Sequence, residues 1–240
     1  MRESNHSRFV RGCFGLLPGN AAIPLRGLVA FLMALSLLTE PVFAFYTPLS
    51  DEAVREAYFL GQRRDESMAT FLAKYIHELP PPDFGPHIAS ITTYTPFAQA
   101  VLWSSQQTAN YSAQRAQIDH RRQTEIVQIL VAIRFTDSYG PFIRSASSSS
   151  RDRNPVTAPR PSDFWRDFNV AVLSDDKSLE PASYDGHPDF VCSEGGCYLI
   201  GATIQLEFPA ESFPSQNITV QVEPPDADLV FADFDLSLLR

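Results

Sequence analysis

Residues that carry easily recognised chemistry are scarce in this chain. Among 240 residues there are only three cysteines and five histidines. The pair Cys192 and Cys197 is separated by four residues. Thiol–disulfide exchange uses a C-x-x-C spacing with a lowered thiol pKa, so this pair does not match a redox motif. There is no G-x-S-x-G, no H-E-x-x-H, no P-loop and no dinucleotide-binding glycine fingerprint. These absences argue against the common hydrolase, zinc-protease, nucleotide and nicotinamide chemistries. His77, His87, His120 and His187 have no evident nucleophile beside them in sequence. Glycoside hydrolysis stays open, because its carboxylate pairs meet in space and not in sequence. Basic charge is scarce as well. The formal net charge is −9, and residues 178–240 carry eleven acidic groups against Arg240 alone. Such a surface repels phosphate backbones and argues against nucleic-acid binding. It also disfavours docking on anionic lipid.

A short apolar run near the start sets the expected compartment. Residues 28–38 are uncharged and apolar, with Arg26 before them and Arg2, Arg8 and Arg11 further upstream. Pro41 and then Val42-Phe43-Ala44 follow, a small-residue pattern suited to signal peptidase. This is the layout of a secretory signal peptide over residues 1–44. A membrane anchor is the competing reading, but a spanning helix needs about 20 apolar residues. Only thirteen uncharged positions lie between Arg26 and Glu40. Cys13 precedes the run and so does not fit a lipid-anchor signal. The expected exported protein starts at Phe45, in the periplasm or outside the cell, and meets the membrane only through its signal peptide. Residues 1–44 carry four Arg and two Glu, net +2, so the remainder carries −11.

The expected fold class is α+β: a helical region over 45–124, then a β-sandwich region over 125–240. Ser50 is placed to cap a helix over 50–79, with Asp51 and Glu52 at the favourable end of the dipole. Met68, Phe71, Leu72, Tyr75, Ile76 and Leu79 form a stripe at helical period, and Pro80 stops it. Tyr75 is read as core and His77 as solvated. Residues 87–94 read as extended. Thr95-Pro96 opens a second helix to about 122, whose packing positions are Phe97, Val101, Leu102, Tyr111 and Ile118. His120 is read as a solvated residue. The period then changes to two over 126–135, which predicts a strand. Alternation over 168–173, 200–208, 218–223 and 230–236 predicts antiparallel strands with one wet face. Five or more such strands suggest a sandwich of immunoglobulin-like general build, although the Cys…Trp…Cys spacing of true immunoglobulin domains is absent.

Three groups of candidate site residues follow. In an oxidising compartment Cys192 and Cys197 are expected to form a disulfide across a loop with two glycines. The alternative is a four-coordinate zinc site made by His187, Asp189, Cys192 and Cys197. Residues 145–161 read as a Ser/Pro/Arg-rich loop, and Arg144, Arg151, Arg153 and Arg160 are candidates for contacting a polyanion. Asp226, Asp228, Asp233 and Asp235 lack the glycine turn and terminal Glu of a helix-loop-helix calcium loop and read as solvated strand-face acids. No catalytic residue and no cofactor is assigned.

The segments Ala57-Tyr58-Phe59-Leu60-Gly61-Gln62-Arg63, Thr95-Pro96-Phe97-Ala98-Gln99, Cys192-Ser193-Glu194-Gly195-Gly196-Cys197 and Phe234-Asp235-Leu236-Ser237-Leu238-Leu239-Arg240 resemble a group of uncharacterised exported bacterial proteins with no assigned activity. The resemblance implies a bacterial envelope setting and transfers no catalytic residue. The expected role is non-catalytic, namely binding, assembly or structural support, with an unidentified protein or envelope component as partner. The alternative is a secreted hydrolase whose site is assembled in space.

Overall fold

Alternating burial in the central strand organises the molecule. In β3 (Ile126–Arg134), Val127, Ile129, Val131 and Ile133 are fully buried, while the residues between them are partly exposed. Each such side chain contributes about 1.5–3 kcal/mol on burial, so one Asp at Val131 would break the layer. The computed structural model describes residues 45, 47–108, 110–145, 156–175 and 177–240, and these belong to one compact unit. The expected signal segment therefore lies outside the described residues, as do Arg151, Arg153 and the Arg144 side chain.

The fold mixes four α-helices with antiparallel sheets, and β structure predominates among the described residues. A five-stranded sheet has the order β1 (Ile76–Glu78), β2 (His87–Tyr94), β3, β9 (Gly196–Pro209) and β8 (Ser183–Ser193). A four-stranded sheet has the order β11 (Val230–Asp235), β10 (Asn217–Glu223), β6 (Asn169–Ser174) and β7 (Lys177–Leu179). One core cluster joins them, with Ile129, Val131, Ile204 and Leu206 from the first sheet and Val172, Ile218, Val220 and Phe234 from the second. β4 (Phe142–Ser145) and β5 (Val156–Pro159) pair as a separate two-stranded ribbon. The expected loop over 145–161 thus starts and ends in paired backbone.

The helices are shorter than their periodicity suggested. Ser50 caps α1 (Asp51–Arg63), its side chain accepting from the Ala53 N–H at 3.2 Å. Arg64 then turns left-handed at φ 52°, and Asp65 caps a new helix, α2 (Glu66–Ala73), by accepting from Ser67 and Met68. The chain leaves helix at Lys74 and enters β1, so residues 76–78 are a strand and not helical. Tyr75 is buried, as its place on the stripe implied. Thr95 caps α3 (Pro96–Gln106) with Pro96 in the first turn. Gln107 is extended, and Ser112 caps a further helix, α4 (Ala113–His120), so the second expected helix is also divided. Because β1 and β2 pair onto β3, strands from the region read as helical complete the same sheet.

α1 and α3 pack through Ala57, Phe97 and Val101, with Leu60, Met68 and Phe71 around them. The tail after β11 is strapped to them. Tyr75 Oη donates to the Arg240 main-chain oxygen at 3.0 Å, and Thr95 Oγ1 donates to the same atom. The Arg240 guanidinium lies 4.9 Å above the Phe97 ring and donates to both carboxylate oxygens of Glu56 at 2.5 Å.

Candidate functional site

α1, α3, α4 and the start of β3 border a partly open cavity of about 130 Å³ lined by Gln99, Trp103, Tyr111, Asp119, His120 and Glu125, among others. Local chemistry positions each wall. Gln99 donates to the carbonyls of Tyr94 and Ile126 at 3.1 and 2.7 Å, which ties α3 to β2 and β3. α4 ends at His120, and the chain turns through residues 121–124 to bring Glu125 back beside it. His120 Nε2 lies 2.8 Å from Glu125 Oε1, and their side chains are only 16% and 11% exposed. His120 is therefore a paired, largely covered group, not the solvated residue expected. The same carboxylate accepts from Thr47 Oγ1 and from the Leu49 N–H, both at 2.6 Å. Burial alone would push the Glu125 carboxyl up. The hydrogen bonds from His120, Thr47 and Leu49 outweigh it and hold the group below the ordinary carboxylate range.

Tyr111 forms the other wall. Burial pushes its hydroxyl up, a hydrogen bond from Trp103 opposes that, and the neighbouring Asp119 charge adds to the rise. Asp119 is itself engaged by Arg115 at 3.1 Å. The cavity thus combines two aromatic walls with an imidazole–carboxylate pair. A held imidazole can bind a polar ligand or move a proton. Among the described residues no hydroxyl or thiol hydrogen-bonds to His120.

The residues singled out from sequence lie elsewhere. Cys192 and Cys197 sit opposite each other in the β8–β9 pair and form a disulfide. Glu194 and Gly195 make the hairpin turn, and Gly196 follows at φ +123°, a conformation glycine favours. Asp189 accepts from Arg134 at 2.5 Å and from Thr203 at 3.1 Å, and His187 is 3.9 Å from it. With both sulfurs oxidised, the zinc arrangement loses its two thiolate ligands. Among the described residues no group of three or more His, Cys, Asp or Glu side chains gathers to hold a metal ion. Arg160 stacks 3.6 Å from the Tyr139 ring centre and donates to the Gly140 carbonyl at 2.9 Å. That arginine pins the base of the β4–β5 ribbon, so it is docked within the protein. Asp233 accepts from Thr219 at 2.6 Å and Asp235 from the Ser237 N–H at 2.9 Å, on an exposed strand face.

Beyond the disulfide, the β8–β9 hairpin displays an apolar end. Phe190, Val191 and Tyr198 are each more than half exposed. Val191 pairs with Tyr198 across the strands, and Phe190 pairs with Leu199 beside the disulfide. No protein-family model matches the chain, and no curated protein matches it.

Proposed function

We propose that this chain is an exported protein of the bacterial cell envelope with a non-catalytic binding or assembly role. Its two sheets would form a sandwich of immunoglobulin-like general build, with the α1–α3 pair packed beside it. The observation that carries the reading is the β8–β9 hairpin end. Three large apolar side chains stand in water on a ribbon whose strands are covalently joined. Exposed aromatic and aliphatic clusters mark interaction surfaces. A disulfide beside them lowers the ordering cost of docking. The partner is a protein or envelope component, and the acidic surface argues against nucleic acid. The test is a photo-crosslinking residue placed at Tyr198 in cells, with Gln216 as an exposed control position. A discrete adduct at Tyr198 alone supports the reading, and no adduct at either position removes it. Export is tested by sequencing the N-terminus of envelope protein, where a start at Phe45 is expected and a retained 28–38 segment overturns it.

The hydrolase reading is supported by one observation, the His120–Glu125 pair lining the helical cavity. A carboxylate that orients an imidazole is half of a nucleophilic relay. Hydrolysis of model esters or glycosides that His120→Gln abolishes without unfolding the protein would favour it over the binding role.

A further inference from the structure

A second groove differs in chemistry from both surfaces above. It lies between α1, α2 and the C-terminal tail and measures about 590 Å³, within the range of ligand-sized sites. Phe59, Leu60, Phe71 and Leu238 supply its apolar walls, and Arg63 and Lys74 stand among them. Phe59 is 54% and Leu238 75% exposed, so the walls are open to water.

The charges around the groove are unevenly committed. Glu56 is taken by both Arg240 nitrogens, so its negative charge is matched. Arg64, Arg115, Arg121 and Arg134 all have partners elsewhere. The side chains of Arg63 and Lys74 have no hydrogen bond or ion pair among the described residues. Arg55 lies 5.7 Å from the Phe59 ring centre and adds a third cation on the same side. Glu66 borders the adjoining recess with Lys74 without pairing to it. In a chain of net charge −9, unmatched cations beside exposed apolar walls ask for a ligand with an anionic end and an apolar body.

We propose that this groove binds a single-chain anionic amphiphile, a long-chain carboxylate or a lipid with the same head-and-chain chemistry. The acyl chain would lie against Phe59, Leu60, Phe71 and Leu238, removing their exposed surface from water. The carboxylate would sit between Arg63 and Lys74 with charge-assisted hydrogen bonds. An acidic peptide would engage the cations but leave the apolar walls uncovered.

Calorimetric titration of the exported protein with dodecanoate, below its micelle-forming concentration, tests this. Dodecyl maltoside supplies the same chain with a neutral head. Saturable binding of dodecanoate is expected, about tenfold weaker for decanoate because two methylenes are lost. Arg63→Glu with Lys74→Glu should weaken dodecanoate by at least about tenfold and leave the melting temperature nearly unchanged, since both side chains are exposed. Leu238→Ser should weaken both dodecyl ligands by about fivefold. Equal affinity for the neutral and anionic heads, or an unaffected double variant, overturns the proposal. Flotation with phosphatidylglycerol vesicles separates the sources. Vesicle binding alongside free dodecanoate binding places the ligand in lipid as well, and vesicle binding without dodecanoate binding overturns the single-chain site.

Discussion

Gly61 of α1 packs its backbone directly against the main-chain carbonyl of Val101 in α3. A Cβ at position 61 would collide with that oxygen and would touch the Ser104 Cβ at 3.0 Å. At this point of the crossing α1 places no side chain between the two backbones. Replacing a mid-helix glycine by alanine ordinarily stabilises by about 0.5–1 kcal/mol. Here the sign reverses, because the obstacle is backbone and cannot rotate away. Gly61→Ala should destabilise by about 2 kcal/mol, the scale of an overpacked core. Thermal melting should fall by roughly 4–8 °C in a chain of this size. A rise in melting temperature would mean that α1 and α3 are further apart than described.

The Glu125 carboxylate joins three separate pieces of chain: His120 at the end of α4, Thr47 and Leu49 before α1, and its own position just ahead of β3. Glu125→Gln keeps the shape but removes the charge and turns one acceptor into a donor. The Leu49 N–H can only donate, so the amide oxygen has to face it, and the amide N–H then meets the Thr47 hydroxyl, which must turn round to accept. Hydrogen bonds to charged groups are each worth about 1.5–3 kcal/mol. The substitution should cost about 2 kcal/mol in urea unfolding, while His120→Gln, which leaves the other two bonds, should cost less. Equal losses for both variants would mean that the imidazole, not the carboxylate, is the hub.

Acid should weaken the fold through the same group. Glu125 is held below the ordinary carboxylate range in the folded protein, so the unfolded chain takes up its proton first. Its contribution is full above the ordinary range. It declines as pH falls through that range and is gone below the folded value. Asp51 shifts in the same direction through its hydrogen bond and ion pair with Arg121. That pair is exposed, so salt should screen it. Urea midpoints measured downward from about pH 5 should drop for the native chain. The drop should be shallower for Glu125→Gln, and high salt should leave most of this difference intact. Identical pH profiles for the two proteins would refute the assignment.

What could be read from the sequence depended on how regular the burial is. β3, β6, β10, β11 and β9 from Ala202 onward bury every second residue, and their alternation was visible residue by residue. β8 is an edge strand with Asp185, Gly186, His187 and Pro188 at its middle and no fully buried side chain, so no periodicity marks it. The helix breaks were hidden for a different reason. Arg64 adopts a left-handed turn that glycine usually supplies, and the apolar stripe that starts at Met68 runs past the end of α2 into Tyr75, which is buried in a turn and not in a helix. The His120–Glu125 pair was illegible because it depends on where α4 stops. Its further partner Thr47 lies 78 residues from Glu125. Only the tertiary fold brings those three together.

The disulfide offers the cleanest separation of stability from recognition. Cys192 and Cys197 are five residues apart and already face each other in the β8–β9 ladder. So short a ring removes little chain entropy from the unfolded state, about 2 kcal/mol at most. The buried part of β9 runs through Ala202, Ile204, Leu206 and Phe208, well down the strand from the bridge. Replacing both cysteines by serine should therefore lower stability by no more than about 2 kcal/mol and leave the core packing intact. Hydrogen exchange should rise at Phe190, Val191 and Tyr198 and stay unchanged at Val131 and Ile204. If the hairpin end is the docking element, crosslinking through Tyr198 should fall more steeply than stability does, because the apolar side chains lose their fixed arrangement. A double variant that unfolds globally would mean that the hairpin end supports the sheet, and the recognition role would lose its structural basis.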